Sequence, residues 1–186
     1  MVFTDGSFAN NKDLNSQIGY LIALVNEENI AEESTAGTDD VFTIKDNIVY
    51  YSSVKCKRII RNVLASEIYG FVNGFDLSYV INHTLYKITD RLDLPPTPLI
   101  VYINSFSLYE YLVKLYTTTE KRLMIDVIGL RQSYERREME IRWINGHDNP
   151  ADAMTKASPN RALESFVNNN ELTIRLEGWV QRGQLQ

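Results

Sequence analysis

The chain has 186 residues, 44% of them hydrophobic and 23% charged, a make-up that suits one α/β domain with a sizeable core and excludes a disordered chain. Its formal net charge of −5 argues against indiscriminate binding to polyanions. No apolar run approaches the ~20 residues of a membrane helix, and the first residues lack the basic and apolar regions of a signal peptide. A lone cysteine, Cys56, forbids an internal disulfide and fits a reducing intracellular setting, cytoplasmic or nuclear. With His83 and His147 it makes no zinc pattern. The abrupt opening in a strand-like run suggests a fragment of a longer chain.

Phe3 to Phe8 alternates large and polar residues and reads as a first strand, and Asn10 to Asp13 as a turn. Ile18 to Val25 is a strongly apolar second strand, and Asn47 to Ser53 a third, completing an antiparallel meander. The acidic, Ser/Thr-rich stretch from Glu27 to Asp40 reads as a loop. Lys55 to Arg61 is a basic connector. A helix follows, with Leu64, Ile68, Phe71, Val72, Phe75 and Tyr79 at helical spacing and Gly70 and Gly74 placed for close packing on the sheet. Asp90 to Pro98 is a proline-rich loop, and Leu99 to Ile103 a short buried parallel strand. A second helix carries Leu108, Tyr111, Leu112 and Leu115. Thr117 to Thr119 breaks it, and Thr119 is placed to cap a third helix carrying Leu123, Val127, Leu130 and Tyr134. Met139 to Ile144 alternates as a fifth strand, with Trp143 packing there. Asn149-Pro150 is expected to open a last helix. Leu172 to Val180 reads as a terminal strand or an extended tail. The order β-β-β-α-β-α-α-β-α predicts a mixed five-stranded sheet flanked by helices.

Four positions on separate segments carry the chemistry. Asp5 lies on the first strand, Glu67 on the first helix, Asn104 just past the fourth strand and Asp152 near the start of the last helix. Three carboxylates and one amide so arranged suggest a metal-dependent phosphodiester site with one ligand neutralised. Each also has a plainer role: Asp5 as a turn cap, Glu67 and Asp152 as acids beside helix N-termini. His147 precedes the last acid in a short loop and reads as a solvated turn residue. Two basic groups invite phosphate contacts. One is Lys55, Lys57, Arg58 and Arg61. The other is Lys121, Arg122, Arg131, Arg136 and Arg137, which is the more neutralised by Glu120, Glu135 and Glu138.

The element order and acid placement resemble the ribonuclease H fold. The wording of Tyr51 to Lys55 with Val63 to Tyr69, and of Asn149-Pro150-Ala151-Asp152-Ala153-Met154-Thr155-Lys156, resembles the RNase H domain of Ty1/copia-type retrotransposon polyproteins. Glu120 to Asp126 with Leu130 to Glu138 resembles fungal members of that group. The resemblance spans roughly residues 2 to 170. It implies a domain over 1–170 with 171–186 as a C-terminal strand or tail. It also implies hydrolysis of the RNA strand of RNA–DNA hybrids by two Mg²⁺ ions, with Mn²⁺ as a substitute. Asp5 would bridge both ions, Glu67 would bind one and Asp152 the other, and His147 would help product release, with a solvated turn residue as its alternative. Ser7, Lys55, Lys57, Arg58, Arg61 and Asn149 would contact nucleic acid, Asn149 having helix capping as its alternative. The partners implied are a hybrid or another nucleic acid, and the reverse transcriptase region of a parent polyprotein or a host protein, with no membrane.

The departure from the family lies at strand four, where a Thr-Asp-Ser-Lys-Ser pattern is replaced by Ile103-Asn104-Ser105-Phe106-Ser107. A carboxamide brings no charge to a hard cation. Its presence predicts catalysis absent or strongly reduced, by about a hundredfold or more. Alternative readings are a residual or deliberately inactivated ribonuclease, and a domesticated module that binds nucleic acid or protein.

Overall fold

The computed structural model describes residues 1–29, 41–114 and 121–180. The expected loop residues 30–40, the Thr119 cap, Leu115 and residues 181–186 lie outside the described residues. The strands are β1 (Val2–Ser7), β2 (Gln17–Asn29), β3 (Val41–Lys55), β4 (Ile100–Ile103), β5 (Glu140–Ile144) and β6 (Glu171–Trp179). The helices are α1 (Val63–Arg91), α2 (Phe106–Val113), α3 (Lys121–Glu135) and α4 (Ala162–Asn169), with 3₁₀ turns at Gly146–Asp148 and Pro150–Met154.

The meander and the parallel strands form as expected. β1, β2 and β3 pair antiparallel, and β4 runs parallel to both β1 and β5. The sheet is not the five-stranded one expected. Glu171 to Leu176 alternates strictly, burying Leu172, Ile174 and Leu176, and this segment pairs antiparallel with both β3 and β5. β6 thereby joins the two edges and closes the strands into the ring β1-β2-β3-β6-β5-β4. Closure removes the unpaired edges that an open sheet would expose. Asn170, in the left-handed conformation at φ 56°, turns the chain straight from α4 into β6.

Two cores follow from strand alternation. Val2, Val101, Ile103 and Ile141 face α1, α2 and α3. Phe3, Leu21, Phe42, Ile44, Tyr102, Ile144 and Ile174 face the ring interior, joined by Phe166 of α4. β4 is buried on both faces, which is why its sequence is an unbroken apolar run. Gly70 and Gly74 do bring α1 onto the sheet: a Cβ on Gly70 would lie 2.6 Å from the Asp5 carbonyl oxygen, and one on Gly74 2.7 Å from Thr4 Cγ2.

Three boundaries differ from expectation. Glu27 and Glu28 lie on β2, which runs to Asn29 and pairs along its whole length with β3. Glu27 is held there by Arg142 at 2.8 Å, whose guanidinium lies 5.1 Å from the Trp179 ring centroid. Helix α1 reaches Arg91, past the expected loop start. The segment opened by Asn149 and Pro150 is a 3₁₀ turn, not the start of the last helix. Pro159 follows within a few residues, and the chain regains helix only at Ala162.

Candidate active site

Parallel pairing puts two of the four positions side by side. Phe3 pairs with Tyr102, so Asp5 and Asn104, each two residues further on, come level at the carboxyl ends of β1 and β4. Helix α1 brings the third position. A Cβ on Gly6 would lie 2.3 Å from the Ser66 carbonyl oxygen, so only glycine permits this contact of strand with helix. The contact seats Glu67 next to Asp5. Asn62 caps α1 through its side chain, accepting from the Ala65 N–H at 2.7 Å. The 3₁₀ turn with Asp152 packs on β2 at Gly19, where a Cβ would meet Met154 Cβ at 2.4 Å.

Asp5, Glu67 and Asp152 are all buried. Burial pushes the Glu67 carboxyl well above its ordinary 4.5, and the Asp5 charge adds to this, while Lys156 and the Gly6 N–H oppose it. Asp5 is also raised, first by burial; the Thr155 hydroxyl bond and Lys156 pull it down, and Asp152 pushes it up. The oxygens are already engaged. Thr155 Oγ1 donates to Asp5 Oδ2. Lys156 Nζ donates to Asp152 Oδ1, and the Asn160 N–H to Asp152 Oδ2 at 2.8 Å. Asn149 Nδ2 donates to the Thr4 carbonyl at 3.0 Å and to Asn104 Oδ1 at 3.3 Å. Asn104, Asn145, His147, Asp152, Lys156 and Asn160 border one cleft of about 670 Å³.

No family model and no curated protein sequence matches the chain. Among solved structures it is similar to LC11-RNase H1, isolated from compost by a metagenomic approach, at 16% identity over 87% of this chain and 96% of that one, with a TM-score of 0.55. The chain has the ribonuclease H fold. It is also similar to the N-terminal RNase H domain of Rv2228c from Mycobacterium tuberculosis, solved as a fusion with maltose-binding protein, at 16% identity over 90% of this chain and 95% of that one, with a TM-score of 0.49.

The RNase H fold implies divalent cations, and carboxylate oxygens suit Mg²⁺. Among the described residues, however, no group of three or more His, Cys, Asp or Glu side chains is gathered closely enough to hold a metal ion. Both Asp152 oxygens and one of Asp5 serve protein donors, and the Asn104 amide oxygen is taken by Asn149. As arranged, the residues do not fit a two-ion centre.

The remaining expected residues divide. His147 is exposed on the cleft rim, its N–H bonded to Asn145 Oδ1 at 3.1 Å. Asn149 is fully buried with both ends of its amide engaged. It is a cap and a strap, which corrects its expected place as a nucleic-acid contact. Ser7 is likewise buried, at the end of β1. The first basic group is more neutralised than expected: Lys55 pairs with Asp13 at 2.7 Å and Arg58 with Asp126 at 3.5 Å. Lys57 and Arg61 remain exposed. The fold brings Lys121 and Arg122 of α3 to Arg61, around a cleft of about 180 Å³ floored by Ala65 and Tyr69. Tyr69 also lines a second cleft of about 480 Å³ with Lys57 and Arg58, and Arg58 stacks on its ring at 4.9 Å. Lys121 and Arg122 thus share one surface with the first basic stretch beside the first turns of α1, whereas Arg131 donates to the Tyr111 carbonyl at 2.8 Å and Arg137 lines a separate cleft with Trp179. Sequence reasoning treats the two stretches apart and passes over Thr155, Lys156 and Asn160. The first two are legible in the spacing, three and four residues beyond Asp152, where a turn returns to its own start.

Proposed function

We propose that this chain is an RNase H-like domain of retrotransposon origin that holds a nucleic-acid backbone and cleaves it weakly or not at all. The observation that carries this is Asn104, level with Asp5 at the sheet edge and bordering one cleft with Asp152, with its amide oxygen satisfied by Asn149. A carboxylate there would supply charge to the site; a carboxamide supplies a strap between β4 and the loop after β5. Lys57, Arg61, Lys121 and Arg122, for which no ion pair is seen among the described residues, form the phosphate-facing surface. The Ty1/copia-like wording of residues 51–69 and 149–156 supports the origin.

The three surviving acids favour a second reading, a ribonuclease with residual activity. Incubation with an RNA–DNA hybrid in Mg²⁺ and in Mn²⁺ separates the two. We expect the hybrid to be bound and left intact by the unaltered chain, and Asn104→Asp to gain measurable cleavage. Rapid cleavage by the unaltered chain would overturn the first reading, and failure to bind the hybrid at all would overturn both.

A further inference from the structure

We infer that the cleft at Asn104 takes a phosphodiester oxygen directly, through a hydrogen-bond donor and with no divalent ion between. The inference rests on reading the chain as a holder of a nucleic-acid backbone, and it says how this cleft meets that backbone. The residues present do not fit a two-ion centre, and position 104 is where this chain differs. Asn149 and Lys156 belong to the wording shared with Ty1/copia-type domains, whereas Asn104 departs from it. Hydrogen bonds fix which way the Asn104 amide faces. Asn149 Oδ1 accepts the Ala151 N–H at 3.0 Å, which leaves Asn149 Nδ2 as the end turned to β1 and β4. That nitrogen donates to the Thr4 carbonyl at 3.0 Å and to Asn104 at 3.3 Å. A donor must meet an acceptor, so Asn104 turns Oδ1 to Asn149 and Nδ2 away from it. No partner for this Nδ2 is seen among the described residues. It lies beside Gly146, where a Cβ would come to 3.5 Å from it, and both residues border the cleft.

An aspartate at 104 would also accept from Asn149, but its second oxygen would carry negative charge into the cleft. The carboxamide carries N–H there instead. One side chain thus inverts the polarity of the cleft at this point: a hard cation finds no charge, and an acceptor oxygen finds a donor. The rest of the lining agrees. Among the described residues bordering the cleft, Asp152 is the one carboxylate. Both its oxygens are taken, one by the Lys156 ammonium and one by the Asn160 N–H. Asn145 is engaged at both ends, accepting the His147 N–H at 3.1 Å and donating to Glu177 at 2.9 Å. Asn104 Nδ2 and the exposed Ser158 hydroxyl are left to meet a ligand, and both donate. Phosphate oxygens accept such bonds from uncharged amides and hydroxyls without a metal.

The test is the affinity of the full chain for an RNA–DNA hybrid, read by fluorescence anisotropy in excess EDTA and in millimolar Ca²⁺. Ionic strength is held constant and the strands are checked intact on a gel. Asn104→Asp is measured beside the unaltered chain, with its folding checked by thermal melting; the comparison of EDTA with Ca²⁺ on the unaltered chain needs no variant. We expect the unaltered chain to bind in EDTA, its affinity changing by no more than about twofold when Ca²⁺ is added, since only counterion competition is altered. Asn104→Asp should bind about tenfold more weakly in EDTA, where its carboxylate faces a phosphate. It should regain that loss in Ca²⁺, which carboxylate and phosphate oxygens can share. Binding by the unaltered chain that vanishes in EDTA and returns with Ca²⁺ would overturn the proposal while leaving the chain a holder of nucleic acid. Equal affinity of the two proteins in EDTA would do the same, by placing the phosphate away from Asn104. No binding in either condition would overturn the reading itself, and the proposal with it.

Discussion

Glu67 is where protonation should act most directly on stability. Burial and the nearby Asp5 charge raise its carboxyl well above the ordinary 4.5. An acid raised in the folded state binds its proton more tightly there than in the unfolded chain. The advantage is therefore fully present below about pH 4.5, where both states are protonated, and is lost as pH rises toward the folded-state value. Asp5 is raised for the same first reason and adds in the same direction. Glu67→Gln removes this dependence while keeping the shape. It should melt close to the unaltered chain near pH 4 and above it at pH 7, where the unaltered chain must keep a charged carboxylate buried. Melting curves taken across pH 4 to 8 check this. A Gln variant that is less stable by the same amount at every pH would show that Glu67 serves packing alone.

At the scale of elements, β6 is the part least legible in the sequence. Its alternation of Leu172, Ile174 and Leu176 is plain, but its partners, β3 and β5, lie far back in the chain. Local pattern carries no information on such long-range closure. The same limit hides the joining of Arg61 to Lys121 and Arg122. By contrast, α1, the meander and the edge holding Asp5 and Asn104 are readable, because each rests on a local period or on β4's unbroken apolar run. The misread turn at Pro150 shows competition between signals: a good helix start is overruled by Pro159 shortly after. β6 also reaches toward the site. Arg175 clasps Asp148, with Nε to Oδ2 and one terminal nitrogen to Oδ1, both at 2.8 Å, and its N–H bonds the same carboxylate at 2.9 Å. That clasp steadies the loop carrying His147 and Asn149. Arg175 is half exposed, so Arg175→Met should cost only about 1 kcal/mol of global stability. Its larger effect should be local, as faster amide hydrogen exchange over residues 145–149 with α1 unchanged. Exchange that quickened equally in both would show the clasp to be a general staple.

For the whole molecule, the proposed backbone contact asks a chain of net charge −5 to hold a polyanion. The answer lies in distribution rather than total. Four acidic groups are paired, Asp13 with Lys55, Asp148 with Arg175, Glu27 with Arg142 and Asp126 with Arg58, while Asp76 lines the cleft that holds Lys57 and Arg58. Lys57, Arg61, Lys121 and Arg122 are left facing solvent around Tyr69. Long-range repulsion from the rest of the surface fades beyond about 8 Å at physiological ionic strength, so the local surface governs contact. Neutralising phosphates releases counterions, with a slope in log affinity against log salt of about −0.7 to −0.9 per phosphate. Four contacts predict a slope of roughly −3 for an RNA–DNA hybrid, and Lys121→Glu with Arg122→Glu should reduce it by about 2 while weakening binding independently of base sequence. Hybrid affinity measured between low and physiological salt decides the matter. A slope near zero, or one unmoved by the double charge reversal, would place the nucleic-acid surface somewhere other than the first turns of α1.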